Sequence, residues 1–529
     1  MSEATVDAIE SRRSWSVLFW LTTLASAAPL FAARYLPFTD LPEHVAAMAT
    51  LSDLAPGGRG ASYEIALGDS QYLVYHAAGA LLTRALGDAI FANQVLLALV
   101  AIAWPLAFRS LLRAFERDER IALFAPMLFW SRALAIGFLP FVASVPVALY
   151  ALALLVRTLR EPSRARWMGL ALVSTLLFYT HASSFLLFGV VTALVVLARR
   201  PAWRHVLALS GALTPSALLA FSWWRRGSLH LHHETESVVR MSVGETLTAM
   251  PLWTFDMWRS HVDEACAAAW WLAFGVALFV ALRRAPKLDR EAAVLAAPFA
   301  VTLALYFATP FSVGMAGYLN LRLAPLLALF ALLWLRPGRD RLSNGALRLV
   351  AVTSCVAAIH AGVEVRSAER AHAEGLGALL EKVPPSAKLA TLNFDARSWH
   401  TKFLPYVFAG SYHRARGGEQ AGYSFADLPH WSVHYKAGAQ PPAWAPHWAY
   451  RPCDFSYRQG GAHYDYVLVQ GDVAPFIDDA PGPRFEPVAR ARAFTLYRKT
   501  GPAPASADAE PDRSVCAPPP AKVHASVTR

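Results

Sequence analysis

The chain reads as a polytopic α-helical membrane protein of about eleven transmembrane helices, followed by an α/β domain outside the membrane. Three observations predict this. Apolar runs of about 15–20 residues recur from Trp15 to Val363, the length needed to cross a bilayer. Arginines gather in short clusters between those runs. Beyond Val363 the sequence turns polar and strand-like segments begin. The whole chain is 55% hydrophobic and 16% charged, with mean hydropathy +0.33. Soluble chains are roughly 45–50% apolar and roughly 25% charged, so the excess needs a membrane to hold it.

The spans follow in order. Arg12 and Arg13 place the N-terminus on the cytoplasmic side, and a first span over 15–33 runs outward. It is long enough to cross, and only a weak cleavage site, Ala25-Ser26-Ala27, argues for a signal peptide. An outer segment, 34–89, follows. Its stretch 71–86 is apolar on one side. Counting it as a span would put Arg109, Arg113, Arg117 and Arg120 outside, so it reads as a helix lying in the interface. Spans are expected at 90–108, 121–136, 139–156, 167–182, 184–198 and 205–223. After a second outer segment, 224–262, come 265–282, 291–309, 320–335 and 348–363. Each later basic cluster then faces the cytoplasm, and the C-terminal domain is left periplasmic or extracellular.

The domains are therefore a membrane domain, 1–363, with its first outer loop 34–89; an extracytoplasmic α/β domain, 364–500; and a tail, 501–529, rich in Pro, Ala and Ser and expected to be disordered. Strands are expected at 387–393, 466–470 and 494–497. The net charge of +11 lies in the clusters between spans, which excludes a nucleic-acid partner and implies membrane lipids. Cys266 and Cys355 fall in or beside spans; Cys453 and Cys516 could pair outside the cytoplasm.

The densest chemistry is the insert Pro37-Phe-Thr-Asp40-Leu-Pro-Glu43-His44, just after the first span. Charge at such a place is costly unless it is used. Here the chain resembles the GT-C superfamily of multi-spanning glycosyltransferases that use polyprenyl-phosphate-linked sugars, in particular bacterial relatives of the protein mannosyltransferases. One span leads to an outer loop bearing an acid, Asp40. The stretch Tyr72-Leu-Val-Tyr-His76 to Arg84-Ala-Leu-Gly87 looks like that family's interfacial helix. Phe178-Tyr-Thr-His181 puts a histidine at the outer end of a span, and an odd number of spans ends in an outer α/β domain. Family members often carry adjacent acids in the first loop, whereas Asp40 and Glu43 are separated.

The resemblance implies a membrane glycosyltransferase with a polyprenyl-phosphate-sugar donor and a lipid or glycan acceptor. Asp40, Glu43 and His44 are the expected catalytic residues. A carboxylate at the surface can take the proton of an attacking hydroxyl, although Asp40 equally suits a helix cap before Pro42. Asp40 and Glu43 could share a divalent cation, Mg or Mn, that neutralises the leaving phosphate; Glu43 also suits a solvated first turn. Arg322 and Arg132, at outer ends of spans, are expected to grip phosphate, or else to snorkel. His76 and His181 are expected at the substrate. The run His230-Leu-His-His-Glu234 matches no defined metal site and reads as a loop. Tyr406, Tyr412, Tyr423, Trp431, Tyr435, Trp444, Trp448 and Tyr450 are expected to dock the outer domain on the membrane rather than to stack on sugars. Two rivals remain: a transporter or flippase of a lipid-linked substrate, and an inactive scaffold. A transporter should put its charge at mid-membrane, whereas here it lies at the outer ends.

Overall fold

A computed structural model describes residues 3–54, 62–67, 70–230, 238–283, 290–314, 316–422, 424–428, 430–441, 448–455, 460–471 and 484–501. The expectations for 231–234, Tyr423, Trp444, Cys516 and the tail beyond residue 501 fall outside the described residues. The chain divides into two units. One comprises residues 1–32 and 97–363; the other comprises 33–96 and 364 onward. The first outer loop thus belongs to one unit with the C-terminal domain, whereas the sequence reading put it with the membrane helices.

The chain is an integral membrane protein. Among the described residues, eight helices are long and apolar enough to cross a bilayer: Arg13–Phe31, Ala89–Ala114, Leu139–Arg160, Ala182–Arg199, Trp203–Arg226, Val262–Arg283, Glu291–Ala308 and the start of Arg341–Leu380. The three other expected spans are shorter or broken. Residues 121–136 split into a 3-10 turn, Glu119–Phe124, and two short helices, Ala125–Leu128 and Arg132–Ile136. The break falls at Ser131, which is extended, and the last piece ends on left-handed Gly137. Arg164–Thr180 is a helix of 17 residues that packs on Leu139–Arg160, Ala182–Arg199 and Trp203–His230. Residues 320–335 contain the ten-residue helix Leu323–Leu332.

Buried tryptophans cover backbone carbonyls left over by such interruptions. Pro146 has no N–H to give the carbonyl four residues back, and Trp104 Nε1 donates to that oxygen, on Val142, at 3.0 Å. Trp270 Nε1 likewise donates to Phe124 O at 3.1 Å, where the broken span changes from 3-10 to α.

The second unit is built on a five-stranded sheet. Its strands are β2 (Lys388–Asn393), β3 (Gln420–Ala421), β5 (Tyr466–Gln470), β6 (Arg484–Ala491) and β7 (Phe494–Thr500), in the order β3-β2-β5-β7-β6. The β2 pairings are parallel and those of β7 antiparallel. A separate two-stranded ladder joins β1 (Tyr63–Ile65), in the first loop, to β4 (Val433–Tyr435), in the C-terminal domain. The three strands expected from sequence are present. One sheet face buries Ala390, Leu392, Val467 and Val469 with Trp448, Phe455 and Tyr497.

The first-loop helix Leu41–Ser52 buries every residue from Leu41 to Leu51. It packs between the helices Leu73–Leu86 and Ser411–Ala415. Gly79 permits the close approach of the first of these, since a Cβ there would run into the Met48 side chain. Being buried all round, the helix is a core element rather than a surface one.

Burial also corrects the expectation for the outer-domain aromatics. Tyr406, Tyr412, Trp431, Tyr435 and Trp448 are all buried, and only Tyr450 of the described members is exposed. They fill the space around the first-loop helix and the sheet, so they cannot meet lipid.

Candidate functional site in the first-loop unit

Asp40 occupies the N-cap position of Leu41–Ser52, and its carbonyl accepts from Glu43 N at 3.1 Å and His44 N at 3.4 Å. Pro42 lies in the first turn, where a missing N–H costs nothing. The Asp40 side chain makes no capping hydrogen bond, and the residue is half-buried. The preceding Thr39 hydroxyl donates to Leu404 O at 3.0 Å, which pins the turn. The backbone therefore uses Asp40 to start the helix without a side-chain cap.

Glu43 and His44 are not solvated first-turn residues. Both are buried, and the C-terminal domain meets them with specific partners. Ser411 donates its hydroxyl to Glu43 Oε1. Glu43 Oε2 accepts from Phe425 N at 2.9 Å and from the Ser424 hydroxyl at 3.2 Å, and pairs with Arg414 Nη1 at 3.5 Å. The Glu43 and Arg414 side chains are 0% and 1% exposed, so this is a desolvated ion pair. Arg414 also reaches Thr50 Oγ1 at 3.4 Å and stacks over the Tyr63 ring at 4.9 Å. A carboxylate whose two oxygens take three hydrogen bonds and face a guanidinium is already neutralised. Glu43 therefore does not fit a cation shared with Asp40; a metal would have to displace Arg414. Among the described residues no three His, Cys, Asp or Glu side chains gather as a metal site.

His44 and His76 meet directly, Nδ1 to Nε2, at 2.9 Å, and His76 Nδ1 lies 2.6 Å from the Ser432 hydroxyl. One proton at most fits between the two rings, so the three groups form a directional hydrogen-bonded chain. Burial first, and His44 second, hold His76 well below the ordinary histidine range, which keeps it neutral. The Trp431 ring lies 4.8 Å from both imidazoles. Nearby, burial and then Glu43 push the Asp427 carboxyl up to about 6, with Arg414 opposing.

The remaining expected residues lie in the membrane unit. Arg132 is buried and pairs with the Asp256 carboxylate, and its Nε donates to Asp256 O at 3.3 Å. His181 caps the helix Ala182–Arg199 by accepting from Ser183 N at 3.2 Å. Both have structural work that satisfies their burial. Arg322 holds its guanidinium over the Phe138 ring at 4.1 Å and donates to Gly317 O at 3.4 Å. Asp40, Glu43, His44 and His76 are thus brought into one unit, apart from Arg132, His181 and Arg322.

No protein-family model matches the sequence, and no curated protein matches it. Solved structures do. ArnT from Cupriavidus metallidurans bound to undecaprenyl phosphate aligns over 92% of this chain and 99% of its own, with TM-score 0.57 and 14% identity. The apo state of ArnT aligns over 93% and 100%, with TM-score 0.50 and 14% identity. Arabinofuranosyltransferase AftD from Mycobacteria aligns over 93% of this chain but 40% of its own, with TM-score 0.50 and 15% identity. The chain has the GT-C fold. At such identities the likeness is one of architecture alone.

Sequence reasoning missed the C-terminal half of that site: Ser411, Arg414, Ser424, Trp431, Ser432 and Asp427. No motif marks them, because they reach the first loop across more than three hundred residues. One physical signal was available. An acid on a helix as apolar as 41–52 must be paired or neutralised if it is buried, which calls for a partner from elsewhere in the chain.

Proposed function

We propose that this protein is a membrane glycosyltransferase that moves a hexosyl or pentosyl group from a polyprenyl-phosphate donor to a lipid or glycan acceptor at the outer membrane face. The observation that carries the reading is the GT-C fold along nearly the whole length of ArnT, a protein solved with undecaprenyl phosphate bound. Asp40 takes the proton of the acceptor hydroxyl as its oxygen bonds to the anomeric carbon. The bond from that carbon to the phosphate oxygen breaks, and polyprenyl phosphate leaves with the electron pair. Glu43, locked to Arg414, fixes the helix that presents Asp40. Arg322 binds the donor phosphate with a guanidinium oriented by Phe138. The N-terminus is cytoplasmic, and the α/β domain lies outside.

The test uses protein in lipid nanodiscs with a panel of radiolabelled polyprenyl-phosphate sugars, reading water-released and acceptor-linked label. Turnover by wild type that Asp40→Asn abolishes is the expected result. Turnover surviving in Asp40→Asn removes Asp40 from the reaction. Binding of a donor without turnover points to a scaffold or a lipid transporter.

A further inference from the structure

Trp399 is 89% exposed, the most exposed large apolar side chain among those described. It sits in the loop between β2 and the helix Ser411–Ala415. The same loop carries Arg397 and Lys402, and Leu404 is also exposed. An indole in water forfeits most of the burial free energy of a large aromatic, so full exposure asks what covers it.

The loop is tied to one particular place. His400, the neighbour of Trp399, hydrogen-bonds through Nδ1 to Glu364 Oε2 at 2.9 Å. Ser398, its other neighbour, bonds to His372 Nε2 at 3.1 Å. Glu364 stands on the helix Arg341–Ala368, whose first part is a membrane span, and His372 on the π-helical turn Glu369–Ala373 that prolongs it. On that helix Val352, Val356, Ile359 and Val363 are all exposed, at the spacing of a single stripe. Lipid is what such a stripe faces in an integral membrane protein. It stops at Val363, and Arg366 and Arg370 follow. Glu364 therefore marks the level at which the helix leaves hydrocarbon for the headgroups. Both neighbours of Trp399 are held to the helix at or just beyond this level.

We propose that the loop 395–404 is a membrane-interface anchor, with Trp399 inserted among the outer-leaflet headgroups beside the exit of the last span. Tryptophan is the side chain most favoured at this depth, since its ring is apolar and its N–H can remain hydrated. The occupant is the bilayer itself, and the two histidine bonds to the helix hold the anchor at fixed depth. This role is the one expected of the outer-domain aromatics that turn out to be buried, and it falls on a residue outside that set. It does not depend on the proposed glycosyl transfer.

The test places a nitroxide on Trp399→Cys in a background with Cys266→Ala and Cys355→Ala, in full-length protein in phosphatidylcholine–phosphatidylglycerol nanodiscs. Collision with oxygen, which partitions into lipid, is compared with collision with a water-soluble nickel chelate. Glu486→Cys, exposed on β6, is the aqueous control. The expected result is an oxygen-to-nickel ratio several-fold higher for the label at 399 than at 486. Equal ratios overturn the anchor. As a check free of labels, Trp399→Phe should remove part of the tryptophan emission that brominated lipid quenches. Unchanged quenching, or a 399 label that becomes shielded only when a sugar donor is added, would instead make Trp399 a ligand contact and overturn the proposal.

Discussion

Replacing Arg414 with Met should loosen the first loop far more than a surface charge deletion would. The substitution removes the guanidinium that pairs with Glu43, a side chain that is 0% exposed. The hydrogen bonds from Ser411, Ser424 and Phe425 would remain, but they were arranged for a carboxylate whose charge is compensated. Removing one member of a buried pair costs about 3–5 kcal/mol, because the other is left charged in a poor dielectric. Exposed pairs such as Arg492–Glu374 are worth about 0–1 kcal/mol. At about 1.4 kcal/mol per tenfold, Arg414→Met should raise local opening of Leu41–Ser52 and Ser411–Ala415 by roughly a hundred- to a thousand-fold or more. Hydrogen–deuterium exchange of those two helices in nanodiscs reads this directly, with the helix Trp203–His230 as an internal standard. The double variant Glu43→Gln/Arg414→Met removes both charges and should recover most of the protection. Exchange in Arg414→Met equal to wild type, or a double variant as loose as the sum of the two singles, would refute the coupled pair.

Other outcomes follow from the same reasoning. Arg132→Met should destabilise the membrane unit by about 3–5 kcal/mol through an uncompensated Asp256, and Arg132→Met/Asp256→Asn should restore it. Thermal unfolding in detergent measures both, and a single variant that keeps its stability but loses donor affinity would return Arg132 to the substrate. The pH response of the second unit has two parts of opposite sign. Asp427 is raised to about 6 in the fold, so the unfolded chain gives up its proton first as pH rises. Stability therefore falls between roughly pH 4 and 6, and Asp427→Asn should abolish that slope. His76 is depressed, so its share of stability is present above roughly pH 6.5 and is lost as pH falls below it. A wild type and an Asp427→Asn variant with identical exchange profiles from pH 4 to 7 would count against the shifted carboxyl.

The sequence by itself determined what rests on composition and local pattern. Long apolar runs flanked by arginines have one stable home, and eight of the expected spans are full-length helices. The strands 388–393, 466–470 and 494–500 are legible because β-branched and apolar residues run together between turn signals. Asp40 at the start of a helix follows from Pro42 and the apolar run behind it. Tertiary structure decided everything that depends on a partner distant in sequence. From sequence Glu43 is expected as a catalytic or cation-binding acid, or else a solvated first-turn residue, and only the approach of the segment 411–425 shows it as half of a buried pair. His181 and Arg132 are expected at span ends, and only the tertiary structure shows that one caps a helix and the other pairs with Asp256. The break at Ser131 escaped notice because hydropathy does not register how a backbone turns inside a protein core. The aromatics illustrate the same point: tryptophan is equally at home in a core and at a membrane surface, so the side chain alone could not say that Trp431 is enclosed and Trp399 is open.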